Sequence, residues 1–154
     1  KFEDILGYKL TDIDPFDGSK QHIIVRINRP LSNDYNPPHK DIYDGMDNRN
    51  HIPQFVNFWI PICGVTPNSS LPIVPSSHLL TEDQIFRTLD GGVVEGNKYR
   101  VRMIKDWGGS NSLVRSNVDY GEVLLFSSHL IHGLAINEEK GKTRVALEFR
   151  LFRG

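Results

Sequence analysis

Apolar residues along this chain fall in short runs between turn residues rather than at helical spacing over long windows. The runs are His22 to Ile27, Phe55 to Ile62, Glu122 to Phe126 and Thr143 to Phe152. Val, Ile and Phe dominate them, which predicts strands. Gly, Pro, Asn, Ser and Asp fill the intervening stretches, notably Pro30 to Pro38, Asp44 to Pro53 and Gly108 to Asn117. Those stretches predict turns and loops. Strands that follow one another without helices between them point to an all-β sandwich or barrel of one domain, residues 1–154.

One helix is expected after Thr81, where Gln84 completes a capping box, Ile85, Phe86 and Leu89 form the stripe, and Gly91 is the stop. A second, short one falls within Lys1 to Leu10. The last strand poses a conflict. Arg144, Ala146, Glu148 and Arg150 share one of its faces, while Val145, Leu147, Phe149 and Leu151 share the other. Ordinary alternation would turn the charged face to solvent. The opposite arrangement requires a polar barrel interior and an outer apolar face covered by helices or by a second copy, so a homodimer is expected.

Composition narrows the function classes. Eighteen Lys and Arg against nineteen Asp and Glu leave a net charge of -1 in 154 residues. No global basic field exists to hold nucleic acid or an anionic membrane. No apolar run approaches the roughly 20 residues of a membrane span. A single cysteine, Cys63, allows no internal disulfide and suits a reducing compartment, so a cytoplasmic location is expected.

Candidate chemistry begins at His39-Lys40-Asp41. In extended chain, residues two apart project to one face, so His39 and Asp41 would offer an imidazole and a carboxylate to a single metal while Lys40 points out. A third ligand from Gly121 to Arg150 would complete two histidines and one carboxylate, the set associated with non-haem Fe(II) oxygenases. His129 and His132 compete for that place. Being three apart on a strand, they would face opposite ways, and Gly133 beside His132 permits a close backbone approach; His132 is the choice. His129 is then a surface or supporting residue, His78 a turn residue, His22 and His51 surface residues, and Trp59 a core residue.

The order His39-x-Asp41, Pro75-Ser-Ser-His78, the strand into His132-Gly133, Asn137 and Arg144 resembles the phytanoyl-CoA dioxygenase-like branch of the Fe(II)/2-oxoglutarate-dependent oxygenases. The resemblance implies a double-stranded β-helix, a cupin-like jelly roll, with Fe(II) held by His39, Asp41 and His132. It implies 2-oxoglutarate as co-substrate, its distal carboxylate on Arg144, with Asn28 of the Arg26-Ile27-Asn28 stretch helping to hold it. Dioxygen and a small molecule complete the reactants, and the retained carboxylate favours hydroxylation over halogenation. Two departures stand out. Ala146 replaces a common serine, and Ser76 replaces the glycine of a Pro-Gly-Ser-His turn, which is expected to change that turn's conformation.

The basic stretch Lys98 to Asn117, with Tyr99 and Trp107, reads as a solvated hairpin or as a lid over the iron. Tyr43, Asn57 and Arg102 are the candidate substrate contacts, for a small polar metabolite related to carbohydrate or secondary-metabolite pathways. Two rival functions use the same residues. A zinc-type hydrolase would need the three ligands but gives Arg144 no task. A jelly-roll binding module without metal leaves an inward His39 and Asp41 unexplained.

Overall fold

A computed structural model describes residues 1–43 and 54–154. The loop expected at 44–53, with His51, lies outside the described residues. All four predicted strands form. They are β2 (Ile24–Asn28), β3 (Phe55–Cys63), β10 (Leu124–Ser127) and β11 (Arg144–Arg153), and with β1 (Leu10–Thr11) they make the larger sheet. Its order is β1-β11-β3-β10, with β2 pairing β11 beyond the end of β1, and all its pairings are antiparallel.

The second layer is built from short pieces: β4 (Pro72–Ile73), β5 (Ile85–Arg87), β6 (Gly92–Val94), β7 (Asn97–Tyr99), β8 (Ile104–Trp107) and β9 (Val114–Arg115). These are two to four residues long, too short for alternation to reveal them. Isolated bridges His39↔His132 and Ile73↔His132 join the β4-β9 pair to the chain around His39. The architecture is a cupin-like jelly roll whose regular structure is mostly strand, with few helical residues. Among the described residues no helix is long and apolar enough to cross a membrane.

The helix expected after Thr81 does not form. The capping contact is present, with the Thr81 N–H donating to Gln84 Oε1 at 3.1 Å, but only a 3-10 turn, Glu82–Gln84, follows. At Ile85 the backbone becomes extended (φ -118, ψ 121) and joins β8, pairing Ile85 with Trp107. A free edge on β8 satisfies the backbone better than a single amphipathic turn does, because a short helix is costly to nucleate. Ile85 then packs on the core of Ile42, Tyr43, Ile104, Trp107 and Ile131, while Phe86 and Leu89 stay exposed. The N-terminal helix α1 (Phe2–Leu6) does form, and Gly7, at φ 76, ends it in the left-handed conformation.

The conflict on β11 resolves toward a charged interior. Arg144, Ala146 and Glu148 are buried, while Val145, Leu147, Phe149 and Leu151 are half-buried on the outer side. Trp59, on β3 opposite Glu148, fills the core between the layers with Tyr35, Leu71, Phe126 and Leu130. Outside, Phe58 stacks on Phe149 at 4.8 Å and receives the edge of Phe2 from α1 at 5.3 Å. The cover stops there. Val25 and Ile27, on the outer side of β2, are more than half exposed at 56% and 57%. Near the β11 bulge at Val145/Ala146, a side chain on Gly64 (φ 68) would strike the Thr143 carbonyl oxygen at 2.0 Å, so glycine is required there.

Phe58 is 1% exposed and joins α1 to the outer face. Phe58→Ala is expected to cost about 3–5 kcal/mol of unfolding free energy in urea, from lost burial and the cavity left behind. A loss below about 1 kcal/mol would mean that this outer cluster is loosely packed.

Candidate metal centre and co-substrate cavity

The site starts from a pair of backbone hydrogen bonds. The His39 N–H donates to the His132 carbonyl at 2.9 Å and the His132 N–H to the His39 carbonyl at 3.1 Å. Residues paired in this way project side chains to the same face, and the two rings lie 4.3 Å apart. Gly133 has φ +136, and a Cβ there would meet the Pro37 carbonyl oxygen at 2.4 Å. The close backbone approach expected of Gly133 is therefore real, and it lets the two histidine segments lie side by side.

Asp41 arrives by a turn rather than by strand alternation. It opens the 3-10 turn Asp41–Tyr43, with its N–H donating to the Ser128 carbonyl at 3.1 Å. Its Oδ1 lies 3.5 Å from His39 Nε2 and 3.8 Å from His132 Nε2. All three residues are buried, and their ligand atoms fall within 4.8 Å of one another. Each imidazole is held through its other nitrogen, His39 Nδ1 on the Pro37 carbonyl at 2.8 Å and His132 Nδ1 on the Leu130 carbonyl at 3.0 Å. That contact assigns the proton to Nδ1 and leaves the Nε2 lone pair for a metal.

The ionisation states suit this. Burial, and next the ring of His39, push the His132 pKa below its usual 6.5, so the imidazole is neutral. Burial pushes the Asp41 carboxyl up, but His132, His39 and Arg150 outweigh it and hold the group well below the usual carboxylate range. Two imidazoles and one carboxylate form a good donor set for a divalent transition metal.

His129 stands apart from this group, half-buried along a groove beside α1. The chain between the two candidates is not a continuous strand. β10 ends at Ser127 and a turn follows, with the Leu130 N–H on the Ser127 carbonyl at 2.9 Å. The bridge to His39 selects His132. Lys40 departs from expectation: it points away from the metal group but is buried, its Nζ 3.4 Å from the Leu80 carbonyl and from Glu82 Oε1. His78 is exposed in a turn, as expected of it. Ser76 adopts φ 63, in the left-handed region that glycine takes most readily. Ser77 Oγ then accepts from the Ile131 N–H at 2.8 Å, beside His132.

A cavity of about 380 Å³ opens beside the metal group, with His39, His132, Asn28, Trp59, Arg144 and Glu148 on its walls. Arg144 is 2% exposed. Its Nη1 donates to the Ser69 carbonyl at 3.2 Å, its Nη2 donates to Asn28 Oδ1, and its guanidinium lies 5.6 Å from the Trp59 ring centre. Burial, then Arg115 and Arg26, lower its pKa to about 10, so it stays charged at neutral pH. Its Nε is buried and has no hydrogen-bond partner among the described residues. A buried guanidinium without a carboxylate partner is an unfinished interaction.

Asn28 is tied to this cation directly. Its Nδ2 donates to the Ala135 carbonyl at 3.2 Å and to the Asp34 carbonyl, which leaves Oδ1 facing Arg144. The three candidate substrate contacts are placed otherwise. Tyr43 is buried by its turn, with its hydroxyl 2.9 Å from both Glu82 oxygens and the Arg87 guanidinium over its ring. Arg102 is half-buried between β7 and β8. Asn57 is fully buried and donates to Asp41 Oδ2 at 2.7 Å. None of the three is on the cavity wall. Glu148, to which the sequence pattern assigns no role, holds Arg26 in a two-pronged pair at 3.0 and 3.1 Å on that wall. Its place beside Arg144 on the same strand face was the available signal.

A family profile described as phytanoyl-CoA dioxygenase (PhyH) matches residues 9–143. Among solved structures, AviO1 from Streptomyces viridochromogenes Tue57 superposes with a TM-score of 0.58 at 18% identity, covering 97% of this chain and 53% of its own. EvdO2 from Micromonospora carbonacea var. aurantiaca gives 0.62 at 16% identity, covering 87% and 52%. Its complex with 2-oxoglutarate gives 0.62 at 18%, covering 88% and 51%. The chain thus spans about half the length of these proteins, and the likeness is one of fold. No curated protein sequence matches it.

The burial of a neutral His132 has a measurable consequence. Its folded pKa lies below 6.5, so the unfolded chain takes up the proton first as pH falls through that value, and metal-free stability declines below it. Asp41, with its pKa lowered from 3.8, stabilises the fold above that value and adds a further loss at more acid pH. Urea midpoints taken from pH 8 down to pH 5 should be level and then fall, and His132→Gln should flatten the first decline. An unchanged slope in the variant would show that another group titrates.

Proposed function

Since this chain belongs to the phytanoyl-CoA dioxygenase family, we propose that it carries the active site of a non-haem Fe(II)- and 2-oxoglutarate-dependent dioxygenase that hydroxylates a small polar metabolite. One observation carries the reading: a two-histidine, one-carboxylate group and a buried arginine with an unused N–H share one cavity. The donors fit ferrous iron in kind and in spacing. His39, Asp41 and His132 would hold it. When bound, Fe(II) supplies the activation of dioxygen coupled to decarboxylation of the keto acid.

The chain's own residues do the rest. Arg144 takes the distal carboxylate of 2-oxoglutarate through paired, charge-assisted hydrogen bonds, which a lysine would not reproduce. Asn28 and the Ser69 carbonyl fix the guanidinium, and Trp59 packs against it. The apolar residues around the cavity, Leu71 and Ala135 among them, limit water at the keto acid. A zinc hydrolase leaves the buried Arg144 without a function, and a metal-free binding module leaves two buried imidazoles facing a carboxylate for no purpose. A carbohydrate-type or secondary-metabolite substrate belongs to the same proposal.

Anaerobic addition of Fe(II) and 2-oxoglutarate should produce the weak visible charge-transfer band of the chelate, which neither rival would give. Asp41→Ala should abolish succinate formation, and Arg144→Ala should raise the 2-oxoglutarate requirement at least about tenfold by stranding a carboxylate without its charge partner. A wild-type protein without the band, or Arg144→Ala with an unchanged requirement, would overturn the assignment. A product heavier by one oxygen, found by mass spectrometry of a metabolite-extract screen, would identify the substrate.

Pairing of two copies across the outer apolar face is also proposed, supported by the bare Val25 and Ile27. Sedimentation should show association that Val25→Lys abolishes, and a stable monomer at high concentration would refute it.

A further inference from the structure

Both oxygens of Asp41 are engaged from the side of the larger sheet. Asn57 Nδ2 donates to Oδ2 at 2.7 Å, and Arg150 Nη2 donates to Oδ1 at 3.0 Å. Oδ1 is also the oxygen that faces the two imidazoles, at 3.5 and 3.8 Å. The oxygen turned toward the metal position therefore carries a guanidinium, and the other oxygen is occupied by an amide.

The two donors are built for this. Asn57 on β3 and Arg150 on β11 are direct cross-strand partners, both on the inward face. Asn57 is fully buried, and the Arg150 guanidinium lies 4.9 Å from the centre of the buried Phe55 ring. Each keeps one buried atom, Asn57 Oδ1 and Arg150 Nε, without a hydrogen-bond partner among the described residues. A buried polar atom left unpaired costs about 1–3 kcal/mol. Both side chains are thus oriented by the carboxylate at the expense of their own hydrogen bonding.

We propose that Asn57 and Arg150 are positioning residues that restrict Asp41 to one metal-facing oxygen and reduce the electron donation of that oxygen. The inference rests on the reading of His39, Asp41 and His132 as iron ligands. An unrestrained carboxylate can present either oxygen, or both, and so take a coordination position that the keto acid or dioxygen needs. With Oδ2 held by Asn57 only Oδ1 is available. With Arg150 on Oδ1, part of its charge is already neutralised before a metal arrives.

The test uses Co(II) titration followed by visible absorption, and the position of the Fe(II)/2-oxoglutarate charge-transfer band, on the full chain. Arg150→Met and Asn57→Leu, folded by circular dichroism, should each bind Co(II) about 10- to 100-fold more weakly, the loss of a fixed carboxylate outweighing, in Arg150→Met, the stronger donation of the freed oxygen. In Arg150→Met the band should also move to longer wavelength, because a more strongly donating carboxylate makes the iron easier to oxidise. Arg150→Lys, which keeps a charged donor, should stay near wild type in both. The 2-oxoglutarate requirement, set by Arg144, should not change in any of them.

Wild-type affinity and an unmoved band in Arg150→Met and Asn57→Leu would overturn the proposal, as would an equal loss in Arg150→Lys and Arg150→Met, which would assign a packing role. If Arg150→Met fails to fold, Asn57→Ser and Arg150→Lys decide in the same way, the first expected to weaken Co(II) binding and the second to preserve it. Failure of the wild-type protein itself to give the band would refute the iron reading. A normal wild-type band with unmoved variants refutes only the positioning role.

Discussion

Two antiparallel hydrogen bonds between the backbones of His39 and His132 hold together what the chain separates by more than ninety positions. Everything chemical in the molecule is arranged around that bridge. It puts two imidazoles on one side, it needs Gly133 so that the Pro37 carbonyl can approach, and it is extended by β4 on the far side of His132. Asp41 follows two residues after His39 and turns its carboxylate into the same space. The three side chains sit on hydrogen-bonded backbone, and second contacts through Nδ1 fix the ring orientations of the histidines.

The second constraint is the direction in which β11 faces. With Arg144, Glu148 and Arg150 turned inward, the strand supplies three charged groups on its inner face, the first two on the cavity wall, and each has its own partners. Arg144 is held by Asn28 and Ser69, Glu148 pairs with Arg26, and Arg150 reaches Asp41. Buried charges are tolerated only when paired or aimed at a ligand. Glu148 and Arg150 are paired within the chain; Arg144 keeps a buried Nε without a hydrogen-bond partner among the described residues. The apolar side of β11 consequently faces out, and α1 covers only its Phe149 end, through Phe58.

Much of this was legible along the chain, for uneven reasons. The long strands declare themselves because Val, Ile and Phe recur over enough residues to define a period. The seven short strands among the described residues do not, since two to four residues define none. The Thr81 capping box is a true local signal with the wrong continuation, because β8, twenty residues downstream, competes for the same backbone. Strand alternation favours His132 over His129, yet a turn separates them, and the bridge to His39 decides between them. Tyr43 and Asn57 lie beside the right elements, but their orientations depend on Glu82 and Asp41, which sequence spacing does not bring near.

The amino-acid sequence by itself determined the all-β character, the His-x-Asp pair with a later histidine and arginine, and the unusual charged face of the last strand. These are properties of residue type and short-range spacing. Tertiary structure alone decided which face of β11 is inside, that Lys40 is buried, that Ser76 takes a glycine's conformation, and that Asn57 and Arg150 meet on one carboxylate. Those outcomes depend on contacts between segments far apart in the chain, where the cost of burying a polar group is offset only by a partner that local sequence does not specify.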